Sequence, residues 1–188
     1  TERPETLWGQ ASELQDDSWD LALTAKGLID AARLLDGRYH LVVTNVPYLA
    51  AVNQSHELKE FCKTHYSAQK SDLSTVFHSR CLELAARGCG VALVTKQDWL
   101  YKSYYKKTRK WVISGSTWNL AAILGSRAFD GISGEEVKAI LTIHTNSPPT
   151  ATSQTTLLSA FDEVEADSKS RALRHAGLTR RSQASFLA

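Results

Sequence analysis

Two hydrophobic periods run along this chain, and the switches between them lay out its elements. Leu21, Ala25, Leu28, Ile29, Ala32 and Leu35 recur near helical spacing, so residues 21–35 read as a helix that Asp36-Gly37 ends. The preceding residues 1–20 read as polar and irregular, with Trp8 and Trp19 as isolated anchors. Residues 39–44 are a short β-branched, apolar run, the pattern of a buried strand. Asn45-Val46-Pro47-Tyr48 follows at once, and because proline cannot continue a central strand the chain turns there. Residues 55–64 predict a short helix. Residues 72–86 predict a longer one, with Leu73, Val76, Phe77, Arg80, Cys81 and Leu84 on one face and Ser71 as N-cap. Gly88-Cys89-Gly90 breaks that helix, and residues 91–95 are a second buried strand. Residues 101–113 predict a helix that is basic on one side. Residues 118–124 and 137–144 are two further strands, joined by a glycine-containing loop over 125–134.

Strands alternating with helices predict an α/β layered fold. The chain has room for about four strands, fewer than a complete doubly wound sheet holds. After Pro148-Pro149 the composition changes: 150–156 is rich in serine and threonine, and an acidic stretch over 162–167 precedes a basic one over 169–181. This reading divides the chain into a body over 1–147 and, over 148–188, a linker and a charged, helical connector.

Composition narrows the function classes. No apolar run is long enough to cross a bilayer, so no membrane partner is expected, and a polar N-terminus carries no signal-peptide pattern. Three cysteines at unrelated spacings indicate neither a zinc site nor a disulfide framework, and a reduced, cytoplasmic setting follows. The six histidines show no metal-ligand spacing, so no metal is expected. A net charge of +2 neither requires nor excludes nucleic acid, since a local patch is enough. The absence of methionine points to a piece of a longer polypeptide.

The informative feature is a strand followed by Asn45-Val46-Pro47-Tyr48, because ligands of open α/β sheets bind at the carboxyl ends of strands. An exocyclic amine conjugated to a base ring is a poor nucleophile. Hydrogen-bond acceptors help it to pyramidalise as an electrophile arrives. The Asn45 side-chain oxygen and the Val46 carbonyl, held rigid by Pro47, offer two such acceptors. Tyr48 offers a ring on which a base extruded from a duplex can stack. The bland alternative is a strand ending in a turn, with Tyr48 as a packed aromatic.

Context decides between them. Residues 39–49, ending in Asn45-Val46-Pro47-Tyr48-Leu49, resemble the motif IV strand of adenine-N6 DNA methyltransferases, whose motif is Asn-Pro-Pro-Tyr. Lys70-Ser71-Asp72-Leu73-Ser74-Thr75-Val76-Phe77 is similar to the family's next motif. Gly90-Val91-Ala92-Leu93-Val94-Thr95-Lys96-Gln97-Asp98-Trp99-Leu100 is similar to the strand and loop after it. Leu124-Gly125, Ala128-Phe129, Ile132-Ser133-Gly134 and the strand over 137–143 resemble the region beyond. The resemblance covers roughly residues 20–145 and is nearest to the large methylases of type IIG restriction-modification and phage-exclusion systems.

The resemblance implies a partial Rossmann-like, class I methyltransferase sheet with flanking helices, and 1–147 as the catalytic half of that domain. It implies S-adenosylmethionine as cofactor and double-stranded DNA with a flipped adenine as partner. Asn45, Val46, Pro47 and Tyr48 become the catalytic residues, Tyr48 and Phe129 the clamp on the base, and Asn45, Asp72 and Phe77 the cofactor contacts. Read without the family, Asp72 is a first-turn acid favoured by the helix dipole and Phe77 a core residue. Two departures matter. Val46 stands where the family has its first proline, which a role for the backbone carbonyl permits. No glycine-rich cofactor loop follows a strand within residues 1–44, and the acid that holds the cofactor ribose is missing with it. The catalytic half would then act with the rest of a larger methylase polypeptide. Asn-Val-Pro-Tyr also resembles the motif of ribosomal RNA adenine dimethyltransferases, and protein-glutamine methyltransferases use similar tetrapeptides. A non-catalytic remnant that binds DNA or assists assembly is the third alternative. Tyr101, Lys102, Tyr104, Tyr105, Lys106, Lys107, Arg109, Lys110 and Trp111 interleave bases with aromatics, as a surface for a phosphate backbone or as a solvated helix face.

Overall fold

The computed structural model describes residues 7–129 and 137–186. Residues 7–37 form one unit and 38–186 another. The first is a single helix, α1 (Leu7–Asp36). The helix therefore begins well before Leu21: residues 10–26 are mostly good helix formers without a proline, and they continue the helix that periodicity placed at 21–35.

The second unit is built on a six-stranded sheet. Its strands are β1 (Tyr39–Asn45), β2 (Ala85–Lys96), β3 (Thr117–Gly125), β4 (Ala139–Thr145), β5 (Gln154–Ser159) and β6 (Thr179–Ser182). Its helices are α2 (His56–His65), α3 (Leu73–Leu84), α4 (Lys106–Gly115) and α5 (Ala166–His175). The sheet order is β1-β2-β4-β3-β5-β6. β1 and β2 are parallel, as are β3 and β5, while β4 and β6 run antiparallel to their neighbours. The carboxyl ends of β1, β2, β3 and β5 therefore lie along one edge of the sheet, the edge at which Asn45 ends β1.

Strand register sorts side chains between the two faces, because directly paired residues share a face. Val91 pairs with His144, Leu93 with Thr142 and Thr95 with Ile140, and this face carries α3 and α4. Val46, Cys81, Leu82, Ala85, Val91 and Leu93 form a core under α3. Trp99, Tyr105, Val112, Ile113, Trp118, Ala121 and Ile140 form a second core under α4. The opposite face holds the row Val43, Ala92, Ile143, and of these Val43 and Ile143 are exposed, as is Leu41 on the same side of β1.

Several boundaries differ from the sequence reading. α3 stops at Leu84, and β2 starts at Ala85, so Gly88-Cys89-Gly90 lies inside a strand rather than ending a helix. Gly88 adopts φ 77°, a left-handed conformation that glycine takes without strain, and its amide bonds Asn146 O at 2.9 Å. Asp72, not Ser71, caps α3. Residues 101–105 precede α4 instead of joining it, since Ser103–Tyr105 forms a separate 3-10 turn. The largest departure is beyond residue 148, where the expected linker contains β5 and the connector contains β6 besides the helix α5. Polar side chains tie this segment to the sheet. Buried Lys169 donates to Leu124 O at 2.7 Å, to Ala160 O at 3.2 Å and to Glu163 O. Buried Gln183 accepts from the Trp118 amide at 2.8 Å and donates to Ile113 O and Ser116 O, each at 2.7 Å. Apolar patterning does not report anchors of this kind.

Candidate active site

The chain leaves β1 through a turn that is fixed at every step. The Val46 amide donates to Val94 O at 3.1 Å, which extends the β1–β2 ladder one residue past the strand. Val46 is buried beneath α3. Leu49 O accepts from the Leu73 amide at 2.9 Å and from Gln54 Nε2 at 3.0 Å, and the Ala51 amide donates to Ser71 O at 3.0 Å. The tetrapeptide is thereby clamped between the end of β1 and the first turn of α3. The Asn45 side chain, on the strand face of Leu41 and Val43, is exposed. Among the described residues no group donates to the Val46 carbonyl. Two acceptors, one amide and one peptide, stand side by side at the sheet edge.

Tyr48 is half-buried against the core under α3, with its hydroxyl buried and without a partner among the described residues. Burial, followed by the charge of Asp72, pushes its phenol up to about 12, so the ring stays neutral at any physiological pH. The Lys96 ammonium lies 5.7 Å from the centre of the ring. The same ammonium bonds Asp72 Oδ2 at 3.0 Å. Asp72 Oδ1 accepts from the Ser74 amide at 2.9 Å, the N-cap bond of α3. Asp72 is only 1% exposed, and both of its oxygens are engaged within the chain. The geometry thus gives Asp72 a capping and pairing role.

Phe77 takes the other course. The sequence alone reads it as core, yet it is 37% exposed on α3 while Val76, His78 and Ser79 are buried. Phe129 is half-buried four residues past the end of β3, on the sheet edge that carries Asn45. Ile132-Ser133-Gly134, part of the same resemblance, lies outside the described residues. The basic-aromatic stretch divides. Arg109 bonds Trp99 O at 3.0 Å and Lys102 O at 2.7 Å, Lys102 pairs with Asp98, and Tyr105 is buried. Tyr104, Lys106, Lys107 and Lys110 remain exposed. Sequence reading missed Lys96 as a neighbour of the site, since its partner Asp72 lies 24 residues away.

The family model of the Eco57I restriction-modification methylases matches residues 1–128. The chain belongs to that family. It is 37% identical over 110 residues to the adenine-specific methyltransferase BrxX of Escherichia coli O9:H4 (strain HS), covering 58% of this chain and 9% of the relative. It is 33% identical over 129 residues to the adenine-specific methyltransferase PglX of Lacticaseibacillus casei (strain Zhang), covering 69% of this chain and 10% of the relative. The chain thus spans about a tenth of the length of these curated relatives. Among solved structures, the DrdV–DNA complex is similar with a TM-score of 0.61 at 18% identity, covering 88% of this chain and 20% of that one. The fold is that of the class I S-adenosylmethionine-dependent methyltransferases, as the resemblance implied. No described helix is long and apolar enough to cross a membrane. Among the described residues no cluster of histidine, cysteine, aspartate or glutamate could hold a metal ion.

Proposed function

We propose that this chain forms the adenine-handling part of an S-adenosylmethionine-dependent DNA adenine-N6 methyltransferase of a restriction-modification or phage-exclusion system. The observation that carries the reading is the turn after β1: an exposed Asn45, a Val46 carbonyl to which no group donates among the described residues, and a half-buried Tyr48 two residues on. In this reading a target adenine leaves the duplex and stacks on Tyr48, with Phe129 as the second aromatic of the clamp. Asn45 Oδ1 and Val46 O accept the two hydrogens of N6. As N6 turns tetrahedral and gains positive charge, both acceptors bind it more strongly than in the ground state, which is the differential that accelerates a reaction. Pro47 holds the carbonyl direction by restricting the ψ of Val46 before it.

The cofactor supplies an electrophilic methyl group. Asn45, exposed at the carboxyl end of β1, would face its reacting end, and Phe77 is an exposed aromatic suited to a nucleobase. Asp72 is buried and already paired, so in this reading it serves by holding the first turn of α3 and Lys96. Family membership favours DNA over ribosomal RNA or a protein glutamine as the acceptor. In the full-length protein carrying this chain, Asn45→Ala is expected to reduce methyl incorporation into unmethylated DNA by on the order of 100- to 1000-fold. DNA affinity should hold, since it comes mainly from phosphate contacts. Near-normal turnover in this variant would make the tetrapeptide structural, whereas an unsubstituted protein without methylation would leave the non-catalytic alternative standing.

A further inference from the structure

We infer that Lys96 is a positioning residue for the Tyr48 ring, and that Asp72 fixes it there. The inference rests on the base-stacking role proposed for Tyr48, but the geometry itself does not. Lys96 ends β2 in the sheet position beside β1, so its side chain starts next to the turn it serves. Its ammonium stands 5.7 Å from the ring centre, within the range at which a cation is attracted to an aromatic face. The ammonium pairs with Asp72 Oδ2 at 3.0 Å, and Asp72 is held because its other oxygen caps α3. A rigid relay therefore runs from the first turn of α3 through Asp72 and Lys96 to one face of Tyr48. The ring has no hydrogen bond of its own to set its angle, since its buried hydroxyl is unpartnered among the described residues. The cation supplies the missing constraint, and a stacked base takes the opposite face. The pairing with Asp72 also offsets the ammonium's charge beside the place where N6 becomes positive.

The test uses Lys96→Met, which keeps an unbranched side chain without the charge, and Lys96→Arg, which keeps the charge. In the 188-residue chain carrying ¹³C-labelled tyrosine, the Tyr48 ring signals are assigned by their loss in Tyr48→Phe. Lys96→Met is expected to shift those signals while Tyr39 stays in place, and Lys96→Arg to leave them near their original positions. Unmoved Tyr48 signals in a folded Lys96→Met chain would overturn the inference. In the full-length protein, Lys96→Met should lower kcat roughly 2- to 30-fold with KM for DNA little changed, and Lys96→Arg should restore most of it. A kcat unaffected by Lys96→Met would likewise overturn it. An unsubstituted protein that methylates no DNA, beside Tyr48 signals that shift as expected, would sink the functional reading and leave the positioning intact.

Discussion

Tyr48 shows what a single residue is asked to do. Its ring is proposed to carry stacking, and its hydroxyl is buried with no acceptor among the described residues. Removing a buried, unsatisfied hydroxyl costs nothing and can stabilise. Tyr48→Phe should therefore hold or slightly raise the melting temperature and leave methylation nearly unchanged. Tyr48→Ala should lose a stacking surface worth roughly 1–3 kcal/mol per base and weaken capture of the flipped adenine together with turnover. Melting curves and methyl incorporation on the two variants check this, and a severe loss in Tyr48→Phe would give the hydroxyl a role the structure does not show. Asn45 to Tyr48 could be found in the sequence because they are contiguous and follow a strand that announces itself. Asp72 and Lys96 could not be assigned their parts in the same way, because 24 residues separate them and each alone reads as an ordinary surface charge.

At the scale of elements, α3 and β4 meet through two histidines that no periodicity singles out. His78 and His144 are fully buried with ring centres 4.7 Å apart, His78 lies edge-on to Trp99, and His144 stacks on Trp118. His144 Nδ1 is 3.2 Å from Ser116 Oγ, and both ring nitrogens of His78 lack partners among the described residues. Burial holds His78 down from 6.5 to about 4, and burial followed by the neighbouring His78 depresses His144 further. In each case the folded value lies below the unfolded one, so the unfolded chain binds protons that the native state refuses. The stability this represents is complete above about pH 6.5, declines as the pH falls, and for His78 is gone below about pH 4. His78 alone accounts for roughly 3 kcal/mol across that window. Chemical denaturation between pH 7 and 4 should show the decline, and His78→Leu should roughly halve it, since His144 keeps its share. An unchanged slope in a folded His78→Leu chain would refute the assignment. The strands and helices from 39 to 125 were legible because alternation and helical spacing are strong there, whereas β5 and β6 were not. They lie in polar sequence and are held by Lys169 and Gln183 through backbone carbonyls and an amide.

The unit over residues 38–186 presents a sheet with α3 and α4 on one face, and the carboxyl ends of four of its strands share one edge. In the proposed reading that edge supplies Asn45 and Tyr48 to the adenine, with Phe129 four residues past the end of β3. The cofactor side is less complete. In the proposed reading Phe77 would offer a nucleobase an aromatic surface and Asn45 would face the methyl donor, while the buried Asp72 carboxylate already pairs with the Ser74 amide and Lys96. A ligand held by a single aromatic and one amide gains little beyond the cost of losing its own freedom. This 188-residue chain is therefore expected to bind S-adenosylmethionine weakly, with no saturation in the micromolar range, when titrated in a calorimeter. Freeing the acid should not rescue it: Lys96→Met unpairs one oxygen of Asp72 but leaves the residue buried under the turn. The full-length protein should bind micromolar cofactor, and there Phe77→Ala should weaken binding by about tenfold, the loss of one stacking contact, without altering affinity for DNA. Micromolar binding by the chain itself, abolished by Phe77→Ala, would show that the edge described here is already a cofactor site and that the ribose is held by backbone rather than by an acid.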